Sequence, residues 1–407
     1  MTRRPRPRKA RGQSRVGDRF EATVGPVAHG GHFVVRLPEP ESRVVFTRHA
    51  LPGERVVVEI TEGTDGDRFW RGDAVEVLSA APDRVTPPCP FAGPGLCGGC
   101  DFQHVRVPAQ RDLKASVVRE QLVRLGGLAA DHPLLAGLVV GGVPVPEGDG
   151  STRPDDGLRW RTRQRYAELP GGQPAMRKHR SHELVAIDDC LIAAEGARPG
   201  QEHEAAGTSY DARSVTAAGA THDFALAVDG FWQVHPAAPR VLVETVLEML
   251  SPRAGEATLD LYAGVGLFAR FVSDAIGSGT RLVAVEGHRE AARHAQANLA
   301  PHEGAVVACG STGDVLEASF DEPFDLVVLD PPRDGAKRDV VAQVCDRRPR
   351  AVAYVACDPA ALARDVAIFA EHGYGLTALR AFDLFPMTSH TECVALLEPA
   401  DACARPR

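Results

Sequence analysis

The chain contains Thr258-Leu259-Asp260-Leu261-Tyr262-Ala263-Gly264-Val265-Gly266, an apolar run that leads into two glycines. The run has the composition of a buried strand, and a segment with helical periodicity begins near Leu267. A strand, a glycine turn and a helix N-terminus together form a cradle for a nucleoside cofactor. This stretch therefore predicts an α/β domain with Gly264 in its cofactor-binding turn.

Alternating strands and helices surround this stretch from about residue 240 onward. The predicted strands cover residues 257–262, 281–286, 305–308, 324–330, 351–357, 376–385 and 393–397. The predicted helices cover residues 241–250, 289–300, 337–345 and 360–371, with another beginning near 267. This alternation indicates a doubly wound sheet, so we expect a Rossmann-like domain over residues 236–407.

The glycine turn favours one class of cofactor. Leu267 and Ala269 follow the two glycines, so the third glycine that accompanies a pyrophosphate in dinucleotide folds is missing. S-adenosylmethionine has no phosphate and fits better. Glu286 ends the next predicted strand, where a carboxylate hydrogen-bonds ribose hydroxyls. The acidic residues at predicted strand ends also suit a sulfonium cation: Asp260, Glu286, Asp314 and Asp330.

A cysteine and a glutamate near the end of the chain have the placement of a catalytic pair. Cys357 ends an apolar run beside Asp358-Pro359, and Glu392 follows about three dozen residues later, after a turn. A covalent nucleophile needs a nearby group that accepts a proton. We therefore predict catalytic roles for Cys357 and Glu392.

Four of the nine cysteines have the pattern of a closed four-sulfur site. Cys89, Cys97 and Cys100 lie on a glycine-rich loop, and Cys190 lies alone further along the chain. The N-terminus shows no signal peptide, so we expect reduced thiols rather than a disulfide framework. Zinc and an iron–sulfur cluster both accept four thiolates, and the spacing alone leaves both open.

The first part of the chain predicts a nucleic-acid-binding module. Short apolar alternations between glycine and proline turns over residues 16–80 indicate a small β-barrel, a fold that often binds nucleic acid. Residues 81–235 form a central segment that carries the cysteines and an amphipathic helix over 110–125. We interpret residues 135–157 and 193–222 as connections.

Positive charge is concentrated in two places although the net charge is −8. Residues 1–15 carry seven positive side chains and no acidic ones, which predicts a disordered basic tail. Four arginines occupy alternate positions from 159 to 165, so a strand would place their guanidinium groups on one face, ready to bind phosphates. The alternative interpretations are a solubilising tail and a solvated strand face.

The apolar stretches of the chain are too short for a membrane span. None approaches the roughly 18 to 20 residues that cross a bilayer, and the N-terminal run is basic and rich in proline. We therefore expect a cytoplasmic protein without membrane contact. Nothing in the sequence requires more than a monomer.

The motifs together resemble the bacterial RNA 5-methyluridine methyltransferases. The resemblance extends over about residues 16–397, and its motifs occur in the order typical of that family. They are the cysteine loop 89–100, Phe231-Trp232-Gln233-Val234-His235, the glycine turn 260–266, Asp330-Pro331-Pro332-Arg333, Cys357-Asp358-Pro359 and His390-Thr391-Glu392.

The resemblance implies a domain plan, two cofactors and a mechanism. The barrel would be a TRAM domain, an OB-like RNA-binding module, and the four cysteines would hold a 4Fe-4S cluster rather than zinc. Cys357 would add to carbon 6 of a uracil flipped out of its stack, and Glu392 would remove the carbon 5 proton. The implied S-adenosylmethionine contacts are Gln233, Tyr262, Glu286, Asp314 and Asp330.

Several functions are compatible with these motifs. Ribosomal RNA is favoured over transfer RNA as the substrate, because relatives with both a TRAM domain and a cluster mostly resemble the ribosomal enzymes. A non-catalytic RNA-binding protein on the same fold is a second possibility, which the intact Cys357 and Glu392 oppose. The third is an iron–sulfur oxidoreductase that binds a dinucleotide, which the missing third glycine opposes.

Overall fold

A computed structural model of the protein describes residues 12–148, 150–199 and 210–400. Within these residues the strands form a closed five-stranded barrel, a three-stranded small sheet, a two-stranded hairpin and an eight-stranded main sheet. The helices of this described part include none that is long and apolar enough to cross a membrane.

The barrel forms where the sequence predicts one. Its strands are β1 (Arg19–Ala28), β2 (His32–Arg36), β3 (Val44–Arg48), β4 (Arg55–Glu62) and β5 (Phe69–Ser79). They close in the order β1-β2-β3-β5-β4. Alternate residues face the interior, so that Val56, Val58 and Ile60 are each at most 1% exposed. The predicted small β-barrel is confirmed.

Arg15, which the sequence assigned to a disordered basic tail, packs against the barrel. Its backbone N–H donates to the carbonyl of Gly63 at 3.0 Å. Its guanidinium lies 5.2 Å from the ring centroid of Trp70 and 3.4 Å from the carboxylate of Asp65. The barrel therefore includes the end of the predicted tail. Residues 1–11, which carry the other positive charges of that tail, lie outside the described residues.

The middle of the chain contributes to three sheets. It comprises α1 (Val107–Arg124), α2 (Pro133–Ala136), β6 (Val140–Gly142), β7 (Ala167–Leu169), β8 (Gln173–Arg177), β9 (Leu184–Ala186), β10 (Tyr210–Ala217) and β11 (Ala220–Ala227). Strands β7 to β9 form the small sheet, β10 and β11 form the hairpin, and β6 joins the main sheet. Helix α1 confirms the helix predicted over 110–125 to within three residues.

Two segments predicted as connections contain regular structure. Residues 135–157 include β6, and residues 193–222 include β10 and the start of β11. The hairpin buries Val215, Phe224 and Leu226 in the same apolar core as the main sheet. Its strands contain several alanines and aspartates, which have low strand propensity, so packing determines this structure more than local sequence does.

The alternating arginines do not lie on a strand, so the predicted row of guanidinium groups on one face is wrong. Residues 158–166 are irregular apart from one isolated bridge, and Arg159 has a left-handed φ of 57°. The guanidinium of Arg159 forms an ion pair with Asp189, while that of Arg161 lies 5.8 Å from the ring centroid of Trp160. Intramolecular contacts therefore occupy Arg159 and Arg161, two of the side chains that the pattern offered to phosphates.

The main sheet is the doubly wound sheet that the sequence predicts. Its remaining strands are β12 (Thr258–Leu261), β13 (Leu282–Glu286), β14 (Ala305–Cys309), β15 (Leu326–Leu329), β16 (Ala351–Ala356), β17 (Tyr374–Asp383) and β18 (Glu392–Pro399). The helices of this region are α3 (Ala238–Leu250), α4 (Leu267–Ile276), α5 (Arg289–Asn298), α6 (Thr312–Ala318), α7 (Lys337–Asp346) and α8 (Pro359–Glu371). The strand order is β14-β13-β12-β15-β16-β18-β17-β6.

Both faces of the main sheet are covered, which explains its continuous apolar strands. In β16, Val352 and Tyr354 pack into one core together with α7 and α8. The alternate residues Ala353 and Val355 pack into the opposite core together with α3 and α4. All six residues of β16 are buried. Because both faces are covered, ligands can reach this sheet only at its edges and at the ends of its strands.

Strand direction brings the candidate residues to one end of the main sheet, which we call the active-site edge. Strands β12 to β16 are mutually parallel, so their carboxyl ends meet there. Strand β18 runs antiparallel to β16 and therefore begins at the same edge. Ala356 pairs with Cys393, which makes Cys357 a neighbour of Glu392.

A buried ion pair fixes α1 on the main sheet. The ammonium of Lys114 binds the carboxylate of Asp383 at the end of β17, and both side chains are fully buried. Lys114 also donates to the carbonyl of Phe385 at 3.0 Å. Burial lowers the pKa of Lys114, and Asp383 partly opposes this effect. Removing one partner of such a pair leaves an unpaired charge in the interior.

We predict that Lys114→Ala destabilises the protein by up to about 3 to 5 kcal/mol, because Asp383 loses its fully buried partner and keeps the more distant Arg111, at 3.5 Å. The midpoint of urea unfolding measures this loss. Arg380→Ala is the control on the same strand, since Arg380 pairs with Glu248 at the surface, where ion pairs contribute little. Equal midpoints for the two variants would contradict a structural role for the Lys114 pair.

Candidate active site and four-cysteine cavity

Cys357 and Glu392 lie side by side at the active-site edge. Cys357 follows β16 directly and is half-buried, while Glu392 opens β18 with 3% exposure. Asp358 accepts the N–H groups of Ala360 and Ala361 at 2.9 Å, so it caps α8 and fixes the backbone after the cysteine. The structure brings the two candidate catalytic groups together, and their roles stay predictions.

The surroundings favour the uncharged forms of both groups. Burial, followed by the carboxyls of Glu392 and Asp330, raises the pKa of Cys357 to about 11, and Arg333 partly opposes this. Burial also raises the pKa of Glu392 well above its usual range, with a further contribution from Asp330. A carboxylate with a raised pKa is a stronger base, which suits removal of a proton from carbon.

A cluster of buried carboxyls, which we call the acidic cluster, adjoins the pair. Asp260 is fully buried, and one of its oxygens accepts the N–H of Ala269 at 3.0 Å. Its other oxygen, Oδ1, is buried without a hydrogen-bond partner. Burial raises the pKa of Asp260 to about 8 and that of Asp330 to about 7. Buried carboxyls of this kind are stabilised by a cation or a donor, as the ammonium and sulfonium groups of S-adenosylmethionine provide.

The glycine turn is held by the acid of the next strand. The N–H of Gly264, which has a φ of +57°, donates to Glu286 at 2.8 Å, and that of His288 donates to the other carboxylate oxygen at 2.6 Å. Tyr262, at the start of the turn, also has a left-handed φ of 62°. Such conformations are costly for a bulky residue and are concentrated at ligand sites. Burial raises the pKa of Tyr262, opposed by a hydrogen bond with Thr312.

The other two predicted cofactor contacts lie on separate elements, one in a loop and one in a helix. Gln233 is half-buried between β11 and α3, where the carbonyl of Val234 accepts the N–H of Thr162 at 2.9 Å. Asp314 is exposed in the first turn of α6, just after the strand that pairs with β13. Both assignments stay predictions.

Asp365 is a buried acid that sequence reasoning missed. It is 2% exposed and accepts hydrogen bonds from the hydroxyl of Tyr354 at 2.5 Å and the N–H of Ala336 at 2.6 Å. These bonds tie α8, which follows Cys357, to the loop that follows Asp330. One signal was available, because Asp365 interrupts an otherwise apolar face of the helix.

Four cysteines line one cavity of about 250 Å³: Cys89, Cys97, Cys100 and Cys190. The N–H of Gly99 donates to the sulfur of Cys97 at 3.4 Å, and the amide of Gln103 donates to the sulfur of Cys100 at 3.4 Å. Burial raises the pKa of all four thiols. In the ranges that the structure describes, no group of His, Cys, Asp or Glu encloses a single metal ion. The thiols face a shared space that is larger than one ion.

The cysteine loop is held tightly against the small sheet. The N–H of Gly98 donates to the carbonyl of Arg177, the last residue of β8, at 2.9 Å. A Cβ atom at position 98 would lie 2.5 Å from the backbone nitrogen of His179, so only glycine allows this approach. This contact places Cys97 and Cys100 across the cavity from Cys190, which follows β9.

Family models match three parts of the chain. The TRAM domain matches residues 13–75, the methyltransferase small domain matches 237–351, and tRNA (Uracil-5-)-methyltransferase matches 317–400. The first match covers the barrel. The other two cover the main sheet from α3 to β18, including Cys357 and Glu392.

Relatives of similar length align with most of the chain. An uncharacterised RNA methyltransferase of Streptomyces coelicolor is 42% identical over 95% of this chain and 94% of its own length. The 23S rRNA (uracil(1939)-C(5))-methyltransferase of Halomonas elongata is 30% identical over 95% of this chain and 91% of its own length. The chain belongs to the RNA uracil-C5 methyltransferase family. The predicted family and TRAM domain are confirmed.

A solved structure shows the same fold over nearly the whole chain. The tRNA (uracil-54, C5)-methyltransferase of Pyrococcus abyssi, in complex with S-adenosyl-L-homocysteine, aligns with a TM-score of 0.65 and 18% identity. The alignment covers 93% of this chain and 100% of the other. The fold of this RNA uracil-C5 methyltransferase family member is therefore that of S-adenosylmethionine-dependent methyltransferases.

We predict that alkylation of Cys357 becomes about tenfold faster per pH unit from pH 7 to 10. Its pKa of about 11 leaves the thiolate as the minor form throughout this range. Mass spectrometry of the peptide that contains Cys357, after brief iodoacetamide treatment, measures the rate. A free cysteine derivative is the reference, because its rate levels off above about pH 8.5. A plateau for Cys357 at that pH would contradict the raised pKa.

Proposed function

We propose that the protein transfers the methyl group of S-adenosylmethionine to carbon 5 of a uridine in ribosomal RNA, with Cys357 as the nucleophile and Glu392 as the base. One observation carries the proposal: a thiol and a buried carboxyl occupy adjacent strand ends beside the acidic cluster. The pairing of nucleophile and base in one site is what covalent activation of a pyrimidine requires.

In the first step Cys357 activates the base. Carbon 5 of uracil is a poor nucleophile, because its electrons are held in the ring double bond. Attack of the Cys357 thiolate on carbon 6 forms the sulfur–carbon bond and moves those electrons towards the carbon 4 oxygen as an enolate. Carbon 5 can then attack the methyl group of S-adenosylmethionine, and S-adenosylhomocysteine leaves. The Cys357 thiol must first lose its proton to water, and Arg333 is a nearby positive charge that favours this loss.

In the last step Glu392 releases the product. After methyl transfer carbon 5 carries both a hydrogen and the new methyl group. The carboxylate of Glu392 takes that proton, the double bond between carbons 5 and 6 re-forms, and the Cys357 thiolate leaves. Burial makes Glu392 a strong base when ionised, so proton transfer from carbon is favoured.

The acidic cluster and the glycine turn would hold the methyl donor. S-adenosylmethionine supplies an electrophilic methyl group on a sulfonium. Asp260 has an unpaired buried oxygen that suits a donor or cation, and Glu286 at the end of β13 is positioned for the ribose hydroxyls. Gly264 would support this binding by leaving the turn free of side-chain atoms, and Tyr262 and Asp330 would be further contacts of the donor.

A groove between the barrel and the small sheet would hold the RNA. It has a volume of about 400 Å³, and its lining includes Lys178 and Arg180. Lys178 pairs with Glu183 at 2.7 Å and Arg180 with Glu62 at 3.4 Å, both at the surface. Exposed pairs of this kind are weak, so phosphates can replace the acids. Phe46, in the same groove, offers a face for base stacking.

The relatives favour ribosomal RNA over transfer RNA. The 23S rRNA enzymes of Halomonas elongata and Alkalilimnicola ehrlichii are 30% and 31% identical and match more than nine-tenths of this chain. The transfer-RNA enzyme of known structure is only 18% identical, which supports the fold alone.

The four-cysteine cavity would hold a 4Fe-4S cluster. Four thiols line a cavity of about 250 Å³, which fits a multi-atom cluster better than a single zinc ion. A zinc ion would need all four sulfur atoms within about 2.3 Å of the metal. The N–H groups aimed at Cys97 and Cys100 stabilise thiolates that carry metal. When bound, the cluster would cross-link the cysteine loop to the segment after β9.

Incubation with labelled S-adenosylmethionine and total RNA, followed by digestion to nucleosides, tests the activity. We expect 5-methyluridine in the ribosomal fraction. Cys357→Ala should lower the rate by at least a thousandfold while cofactor binding stays near normal, and Glu392→Gln should trap a methylated protein–RNA adduct that resists denaturant.

Cys345→Ala is the control for these variants, because Cys345 is buried in α7 away from the active-site edge and should leave the rate unchanged. Label in transfer RNA alone would reassign the substrate. Turnover by Cys357→Ala would contradict the covalent mechanism.

Metal analysis tests the cluster. We expect about four irons per chain and a visible absorbance band in protein purified without oxygen, and loss of both in Cys100→Ser. Cys309→Ser, an exposed cysteine outside the cavity, should keep both. Stoichiometric zinc without iron would overturn the cluster assignment.

A further inference from the structure

The tip of one barrel hairpin reaches the catalytic pair. This barrel tip consists of His29, Gly30 and Gly31, which join β1 to β2. It lies more than 300 residues before Cys357 in sequence, yet it contacts the backbone segments beside both Cys357 and Glu392. The barrel is therefore built into the active-site edge as well as into the RNA groove.

His29 contacts the residue that follows the nucleophile. Its Nε2 lies 3.1 Å from Oδ2 of Asp358, so an N–H of the ring donates to the carboxylate. The other carboxylate oxygen of Asp358 accepts the two N–H groups that begin α8. Asp358 thus joins the barrel tip to the helix cap that fixes the backbone at Cys357.

Gly31 contacts the turn before the base. A Cβ atom at position 31 would lie 2.9 Å from the Cβ atoms of both Asp101 and Ser389. Asp101 in turn accepts the N–H of Ser389 at 2.9 Å and donates its own N–H to the carbonyl of Met387 at 2.9 Å. The segment that leads into Glu392 is therefore packed between the cysteine loop and the barrel tip.

A second barrel residue reinforces this contact. Arg48, at the end of β3, is 5% exposed and donates to the carbonyl of Cys100 at 3.3 Å. Its guanidinium also lies 3.6 Å from the carboxylate of Asp101. Gly31 and Arg48 of the barrel thus both contact the segment around Asp101, which in turn contacts the turn before Glu392.

We propose that two residues of the barrel tip position the catalytic pair: His29 acts through Asp358 on Cys357, and Gly31 acts through Asp101 and Ser389 on Glu392. This inference rests on the proposed function, in which those two residues are nucleophile and base. His29 and Gly31 are positioning residues, since neither touches the reacting atoms. Displacements of about 1 Å at such sites cost up to a hundredfold in rate.

The barrel therefore has two roles that kinetics can separate. A module that only binds RNA contributes to the KM for RNA and leaves the rate at saturating RNA unchanged. A positioning element changes kcat. The proposal places the barrel tip in the second class.

Gly31→Ala and Gly30→Ala form a matched pair of variants. Both glycines have a left-handed φ, +76° and +84°, so alanine strains the backbone equally. Only a Cβ atom at position 31 would contact other segments of the chain, because the neighbour of a Cβ atom at position 30 is His32 of the same hairpin, at 3.5 Å. We expect Gly31→Ala to lower kcat about ten- to a hundredfold with an unchanged KM for S-adenosylmethionine, and Gly30→Ala to stay within a few-fold of wild type.

His29→Ala tests the other contact. We expect kcat at saturating RNA to fall about tenfold, and His29→Gln to restore most of it because the amide N–H can still donate to Asp358. A rise in the KM for RNA with unchanged kcat would show a binding role and overturn the proposal. Equal kcat values for Gly30→Ala and Gly31→Ala would also overturn it.

Hydrogen exchange gives a readout without activity. The N–H of Ser389 is bonded to Asp101, so the peptide that contains Ser389 should exchange faster in Gly31→Ala than in Gly30→Ala at matched melting temperatures. Unchanged exchange in Gly31→Ala would overturn the positioning role. If wild type makes no 5-methyluridine while exchange responds as expected, the proposed function fails and the contact between barrel tip and turn stands.

Discussion

The antiparallel pairing of β18 with β16 is the constraint on which the active site depends. The parallel strands β12 to β16 end at one edge, and a sixth parallel strand beside β16 would begin at the opposite edge. Because β18 runs the other way, its first residue, Glu392, meets the end of β16 and Cys357. A thiol, a buried carboxyl and the glycine turn thereby occupy one edge although they are far apart in sequence.

Burial explains why the acidic groups at this edge have raised pKa values. It raises the pKa of Cys357, Glu392, Asp260 and Asp330, so the site holds several acids with little charge before ligands bind. A sulfonium cation would stabilise the ionised carboxyls, and a ligand that closes the site would strengthen every charge interaction within it. Under the proposed function, desolvation would couple ligand binding to activation of the site.

The sequence predicted the main sheet well because buried parallel strands are continuous apolar runs with helices between them. It also predicted that Cys357 and Glu392 belong together. It could not predict β6, the hairpin or the irregular path of the alternating arginines, because tertiary packing overrides local propensity there. The pair Lys114–Asp383 and the contact of His29 with Asp358 join residues 269 and 329 positions apart, and no local pattern signals such contacts.

Release of tritium from RNA that carries uridine labelled at carbon 5 tests the roles of Cys357 and Glu392 most directly. Each methyl transfer should release one tritium into water, since Glu392 removes the carbon 5 hydrogen. With Glu392→Gln we expect a covalent adduct without release, and with Cys357→Ala neither adduct nor release. Release by Cys357→Ala at the wild-type rate would contradict the account.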